Sequence, residues 1–97
     1  MKINKKPDVS LIMPDLQESF ATIKELSANL QNAHAHQIYT WAMWGEDRSK
    51  KQEAAGMTAV DYANLLLRAI DVAKYEEISD EILMERVKIE GLLAKIK

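Results

Sequence analysis

From Leu16 to Trp44 apolar side chains recur at steps of three and four residues with no strong helix breaker between them, and nothing else in the chain restricts its fold so tightly. Leu16, Phe20, Ile23, Leu26 or Ser27, and Leu30 open the series; Ala33 or His34, Ile38, Trp41 and Trp44 carry it on to Gly45. This spacing follows the 3.6-residue helical period and produces one stripe that something must cover. Only Asn29 and Asn32 hint at a turn, because their short amides compete for backbone partners. Two arrangements fit. One is a single helix of about 30 residues, about 45 Å long at 1.5 Å per residue. The other is a hairpin turning near Asn29–Asn32. A single helix of that length asks for more cover than the rest of a 97-residue chain supplies, and so predicts a partner along part of the stripe.

The remaining pattern is also helical. Twelve Ala and ten Leu favour helix, and the two prolines, Pro7 and Pro14, both fall near the start. Residues 1–14 read as an extended N-terminal arm, in which Val9, Leu11 and Met13 alternate until Ile12 spoils the pattern. Residues 15–97 read as one helical domain. Asp15 with Glu18 has the spacing of a capping box and starts the first helix; Gly45 suits its C-terminal end. Glu46 to Ala55 reads as a short polar helical connector closed by Gly56, with Glu46–Lys50 and Asp47–Lys51 as i,i+4 pairs. Thr58 with Asp61 repeats the capping-box spacing. Beyond it Val60, Ala63, Leu67 and Ile70 form one stripe beside Tyr62, Leu66, Ala69 and Ala73, an arc wide enough for the central helix of a bundle running to Lys74 or Tyr75. Ser79 starts the last helix, whose inner face is Ile82, Ile89, Leu93 and Ile96, flanked by Leu83 and Leu92. Gly91 lies inside it, either to permit close helix contact or as a weak point in a fraying end. The expected fold class is all-α, a small bundle of four to five helices with a short extended N-terminal arm.

Thirteen Lys and Arg against fifteen Asp and Glu leave a net charge of -2, too balanced for a general polyanion binder and too weak in acid for a polyanion mimic. Five acids and no base occupy residues 76–85, and bases prevail from Arg86 to Lys97, an order that the helix dipole favours. Without cysteine there are no disulfides, thiolate nucleophiles or common zinc sites. The apolar run Val9–Met13 is short for a signal peptide, and no stretch approaches the roughly 20 apolar residues of a bilayer span. The expectation is a soluble, cytoplasmic chain.

Chemistry-bearing constellations are missing. His34 and His36 sit two apart on a helix and diverge, so they cannot share one metal. Gly45, Gly56 and Gly91 are isolated and form no phosphate loop. No catalytic residue, metal ligand or cofactor is assigned, and the chain is expected not to be an enzyme; one assembled from dispersed residues around a histidine is a distant alternative. A helix-turn-helix reading of residues 48–70 would use Arg48, Lys50, Lys51, Asn64 and Arg68 to contact DNA, although Asp61 would face phosphate. The segment Ile38 to Trp44 packs both tryptophans, a tyrosine and a methionine into seven residues. Trp41 neighbours Trp44 at i,i+3 and Tyr39 neighbours Met43 at i,i+4, so the two pairs cover a wide arc. They form either the end of a core or an interface hot spot. A membrane-surface helix would want basic residues beside them, and residues 26–45 contain none.

The functional expectation is a small non-catalytic interaction, assembly or regulatory module, self-associating as a homodimer or higher homo-oligomer. Its interface candidates are Leu16, Phe20, Ile23, Leu30, Ile38, Tyr39, Trp41, Met43 and Trp44, with a DNA-binding regulator as the alternative.

Overall fold

The computed structural model describes residues 11–51, 58–73 and 78–96, without the side chain of Lys51. The described residues form an all-α bundle of four helices with no strand: α1 (Met13–Ala28), α2 (Ala33–Lys51), α3 (Ala59–Val72) and α4 (Asp80–Ala94). The stretch from Leu16 to Trp44 is a hairpin, not one long helix. It turns at the two asparagines because each satisfies a helix end. The Asn29 amide donates to the Glu25 carbonyl at 3.3 Å, and the Asn32 side-chain oxygen accepts from the Ala35 amide at 2.8 Å as an N-cap for α2.

Packing closes a ring. α1 lies most extensively on α2, α2 on α3, and α4 completes the circuit against α1 and, less extensively, α3. Leu16, Phe20 and Ile23 of α1 meet Ile38 and Ala42 of α2, Ala63, Leu66 and Ile70 of α3, and Ile82 and Ile89 of α4 in one sealed core. α3 is therefore a corner of the ring and not a central helix. Both of its stripes reach the core, Ala63 and Ile70 from one and Leu66 and Ala69 from the other, while Val60, Leu67, Tyr62 and Ala73 lie at the core margin.

Several helix ends differ from the sequence-based expectation. α1 begins at Met13, and Ile12 is its N-cap without a side-chain bond, so the Asp15–Glu18 capping box does not start it. Pro14 is tolerated because first-turn amides have no intrahelical partner to lose. Ile12 is only 1% exposed, which places it in the core and not in an arm; residues 1–10 lie outside the described residues. α2 runs through Gly45 to Lys51, so that glycine ends nothing and no separate connector helix begins at Glu46. A Cβ on Gly45 would lie 2.5 and 2.7 Å from Cζ and Cδ1 of Phe20, so the glycine is there to let α1 approach α2. α3 stops at Val72, with Ala73 extended; Lys74, Tyr75, Gly56 and the Asp47–Lys51 pair fall outside what is described.

Other ends match. Thr58 and Asp61 form the reciprocal box, with Thr58 N–H donating to Asp61 Oδ2 at 2.8 Å and Asp61 N–H to Thr58 Oγ1 at 3.3 Å. Ser79 Oγ accepts from the Ile82 amide at 3.4 Å. Gly91 faces open space, so no close helix contact among the described residues explains it.

Candidate functional site

On α2 the buried positions are Ala35, Ile38, Ala42, Gly45 and Ser49, and the aromatic side chains divide around that stripe. Trp41 lies on the flank toward α3, its ring 6.1 Å from that of Tyr62 and tilted by 36°. Tyr39 lies on the opposite flank, lining a shallow pocket with Ser27 and Leu30 of the α1 end. Met43 is half-buried. Trp44 falls on the outward row of α2 with Gln37 and Thr40 and is 47% exposed. The aromatic segment is thus neither wholly core nor wholly interface: one indole closes the bundle and the other stands outside it.

The fold also decides which interface candidates keep a free surface. Leu16, Phe20, Ile23 and Ile38 are fully enclosed by the chain's own helices, so none can face a partner while the bundle is intact. Their expected exposure came from the single-helix arrangement, and the hairpin removes it. Leu30, Tyr39, Trp41 and Met43 are partly covered, which leaves Trp44 as the exposed member.

Elsewhere on the bundle charged groups are tied to each other. Lys24 Nζ donates to Glu46 Oε1 at 2.5 Å across α1 and α2, and Lys50 approaches the other oxygen of Glu46 at 3.5 Å, the expected i,i+4 pair. The hydrogen bond raises the Lys24 pKa and lowers that of Glu46, against a desolvation effect of opposite sign in both. Arg86 of α4 donates to Asp71 of α3 from Nε at 2.7 Å, fastening the two helices where they pack less extensively than α1 on α2 or α2 on α3, and to Glu90 of its own helix from Nη1 at 2.9 Å.

The DNA-contact candidates do not converge. Lys50 is held by Glu46, Arg48 is half-buried, and the side chain of Lys51 lies outside the described residues, as do residues 52–57. Asn64 and Arg68 are exposed on the outer face of α3, but Asp61 and Asp71 share that row, and the Asn64 amide turns back to the Val60 carbonyl at 3.1 Å. Phosphate would meet two carboxylates beside one guanidinium.

A groove of about 630 Å³ separates α1 from α4, lined by Asp15, Glu18, Ser19, Glu85, Lys88 and Lys95 among others. Acids and bases alternate in it, so it prefers neither a cation nor an anion. Glu85, 9% exposed, sits on the inner stripe of α4 between Ile82 and Ile89 and accepts from Lys88 Nζ at 3.0 Å. Sequence reasoning missed this residue by counting it into the acidic run of 76–85, although the helical period passes through it; Glu76 and Glu77 of that run lie outside the described residues. His36 is exposed on α2, and among the described residues no group of three or more His, Asp or Glu side chains is placed to hold a metal ion. No described helix is long and apolar enough to cross a membrane. Met84 and Val87 on α4, and Val72 at the end of α3, are further large apolar side chains left outside the core.

Comparison with protein-family models, with curated proteins and with solved structures finds no match. Chemistry and fold together define a small all-α domain without an evident catalytic constellation among its described residues.

Proposed function

We propose that the protein is a small non-catalytic interaction module, an assembly or regulatory factor that works by surface contact and associates with copies of itself. The observation that carries this reading is Trp44: a large indole on the solvent side of α2, 47% exposed, in a chain that packs its other tryptophan against the margin of the core beside Tyr62. An aromatic anchor with few rotamers gives contact area at low entropic cost, which is why such residues dominate interface energetics. The DNA-binding alternative has no comparable support, because the outer face of α3 mixes Arg68 with Asp61 and Asp71.

Sedimentation velocity over a hundredfold range of concentration tests it. The wild-type chain is expected to associate as concentration rises, and Trp44→Ala to shift the distribution toward smaller species while leaving the thermal midpoint nearly unchanged. A compact monomer at every concentration, with Trp44→Ala making no difference, overturns the self-association reading.

A further inference from the structure

We infer that a second copy of the chain docks on the outer face of α4, the two α4 helices running antiparallel about a two-fold axis near their midpoints. This rests on the self-association proposed above and locates one of its contacts.

α4 is apolar on two faces. Its inner face feeds the core through Ile82, Ile89, Leu92 and Leu93. Away from the core Asp80, Met84, Val87, Gly91 and Ala94 follow one another at steps of four, three, four and three, the 3.5-residue repeat that keeps a seam facing a partner helix, with Val87 bordering the groove toward α3 and Gly91 the groove toward α1. All five are exposed, Met84 and Val87 each at 63%, and a Cβ on Gly91 would meet nothing within 4 Å. The outward row of a helix that stays monomeric is ordinarily charged or polar; after Asp80 this one is not.

Side-chain size and charge both select the occupant and its direction. The larger residues, Met84 and Val87, stand in the first half of the row and the smaller, Gly91 and Ala94, in the second. An antiparallel copy sets Met84 against the partner's Ala94 and Val87 against the partner's Gly91, large into small in each layer, with both layers repeated by symmetry. A parallel copy would stack Met84 on its equivalent and leave two glycines facing across a gap. Asp80 and Glu81 open α4 and Lys95 closes it, all three exposed and engaged in no ion pair among the described residues. Antiparallel pairing brings Glu81 beside the partner's Lys95 twice and opposes the helix dipoles; parallel pairing sets acid on acid. Lys88, which falls near the axis, is already drawn toward Glu85 at 3.0 Å. A seam of this length buries less than the about 1,600 Å² of a standard interface, so association is expected at micromolar concentration.

Because the chain has no cysteine, engineered thiols report orientation directly. Met84→Cys and Ala94→Cys proteins, distinguished by a mass tag, are mixed at tens of micromolar and oxidised. A mixed disulfide in excess of either homodimer is expected. Homodisulfides in excess, or no more cross-linking than a control pair carrying Asn64→Cys, overturns the inference. A second measurement does not depend on thiols. α2 and α4 occupy diagonal corners of the ring, so Trp44→Ala should leave an α4-linked dimer, and adding Gly91→Leu should weaken that dimer at least tenfold without lowering the melting temperature. If Trp44→Ala alone is monomeric, the α4 seam is refuted and the Trp44 reading stands. If Gly91→Leu abolishes association while Trp44→Ala leaves it untouched, the α4 seam stands and the Trp44 reading falls.

Discussion

Replacing Gly45 with Ala sets two physical effects against each other, and the sign of the result decides between them. Gly45 lies in the interior of α2, where alanine's intrinsic helix preference would by itself stabilise the protein by about 1 kcal/mol. The added methyl would, however, lie 2.5 Å from Cζ and 2.7 Å from Cδ1 of Phe20. The Phe20 ring is 0% exposed and shares its surroundings with Leu16, Ile23 and Ile38, so it has no open side to retreat to. Relief requires α1 and α2 to separate or the ring to leave its rotamer, and overpacking of this kind costs about 1–3 kcal/mol, enough to exceed the helix-propensity gain over most of that range. At roughly 4–8 °C per kcal/mol for a domain of this size, Gly45→Ala is expected to melt several degrees below wild type. Urea denaturation followed by far-ultraviolet circular dichroism should show a lower midpoint at an unchanged slope. Gly91→Ala is the internal control. That position is also helical but opens on empty space within its own bundle, so at concentrations too low for association the same substitution should raise stability by up to about 1 kcal/mol. Equal or greater stability of Gly45→Ala relative to wild type would refute the close-approach argument.

Two further substitutions probe single interactions. Glu46→Gln removes the carboxylate shared by Lys24 and Lys50 and should cost about 0.5–1 kcal/mol at neutral pH in low salt, less as salt is added. Since folding lowers the Glu46 pKa, its contribution is complete above the ordinary carboxylate range and disappears as pH falls through the lowered value; that of Lys24, raised by folding, persists at neutral pH and fades only above its ordinary 10.5. Stability measured from pH 7 down to pH 3 should therefore converge for the wild type and Glu46→Gln, and a constant gap across that range would contradict the pairing. Thr58→Ala removes the hydroxyl half of the α3 capping box, leaving the backbone N–H of residue 58 still able to donate to Asp61, and should cost about 1 kcal/mol, seen as a lower urea midpoint; an unchanged midpoint would mean that the hydroxyl cap adds nothing.

The local pattern of this chain was sufficient for its class and for most of its helices. Apolar spacing places Leu16, Phe20, Ile23, Ile38, Ile82 and Ile89 on inner faces whatever their neighbours are, because a 3.6-residue period admits no other regular structure. Capping chemistry is equally local, which is why Thr58 and Ser79 begin α3 and α4 as their side chains require. Glycine and proline are more ambiguous. Gly45 has the same local character whether it ends a helix or admits a neighbour, and only the position of Phe20 distinguishes the two. Pro14 can precede a helix or occupy its first turn, and burial of Ile12 settled that choice. Periodicity states how much apolar surface needs cover but not which chain supplies it, so the hairpin at Asn29–Asn32 and the separation of Trp41 from Trp44 were tertiary outcomes. The outer row of α4 was present in the spacing of Met84, Val87, Gly91 and Ala94 all along, yet it became distinguishable from core only when packing had assigned the other face of that helix to the interior.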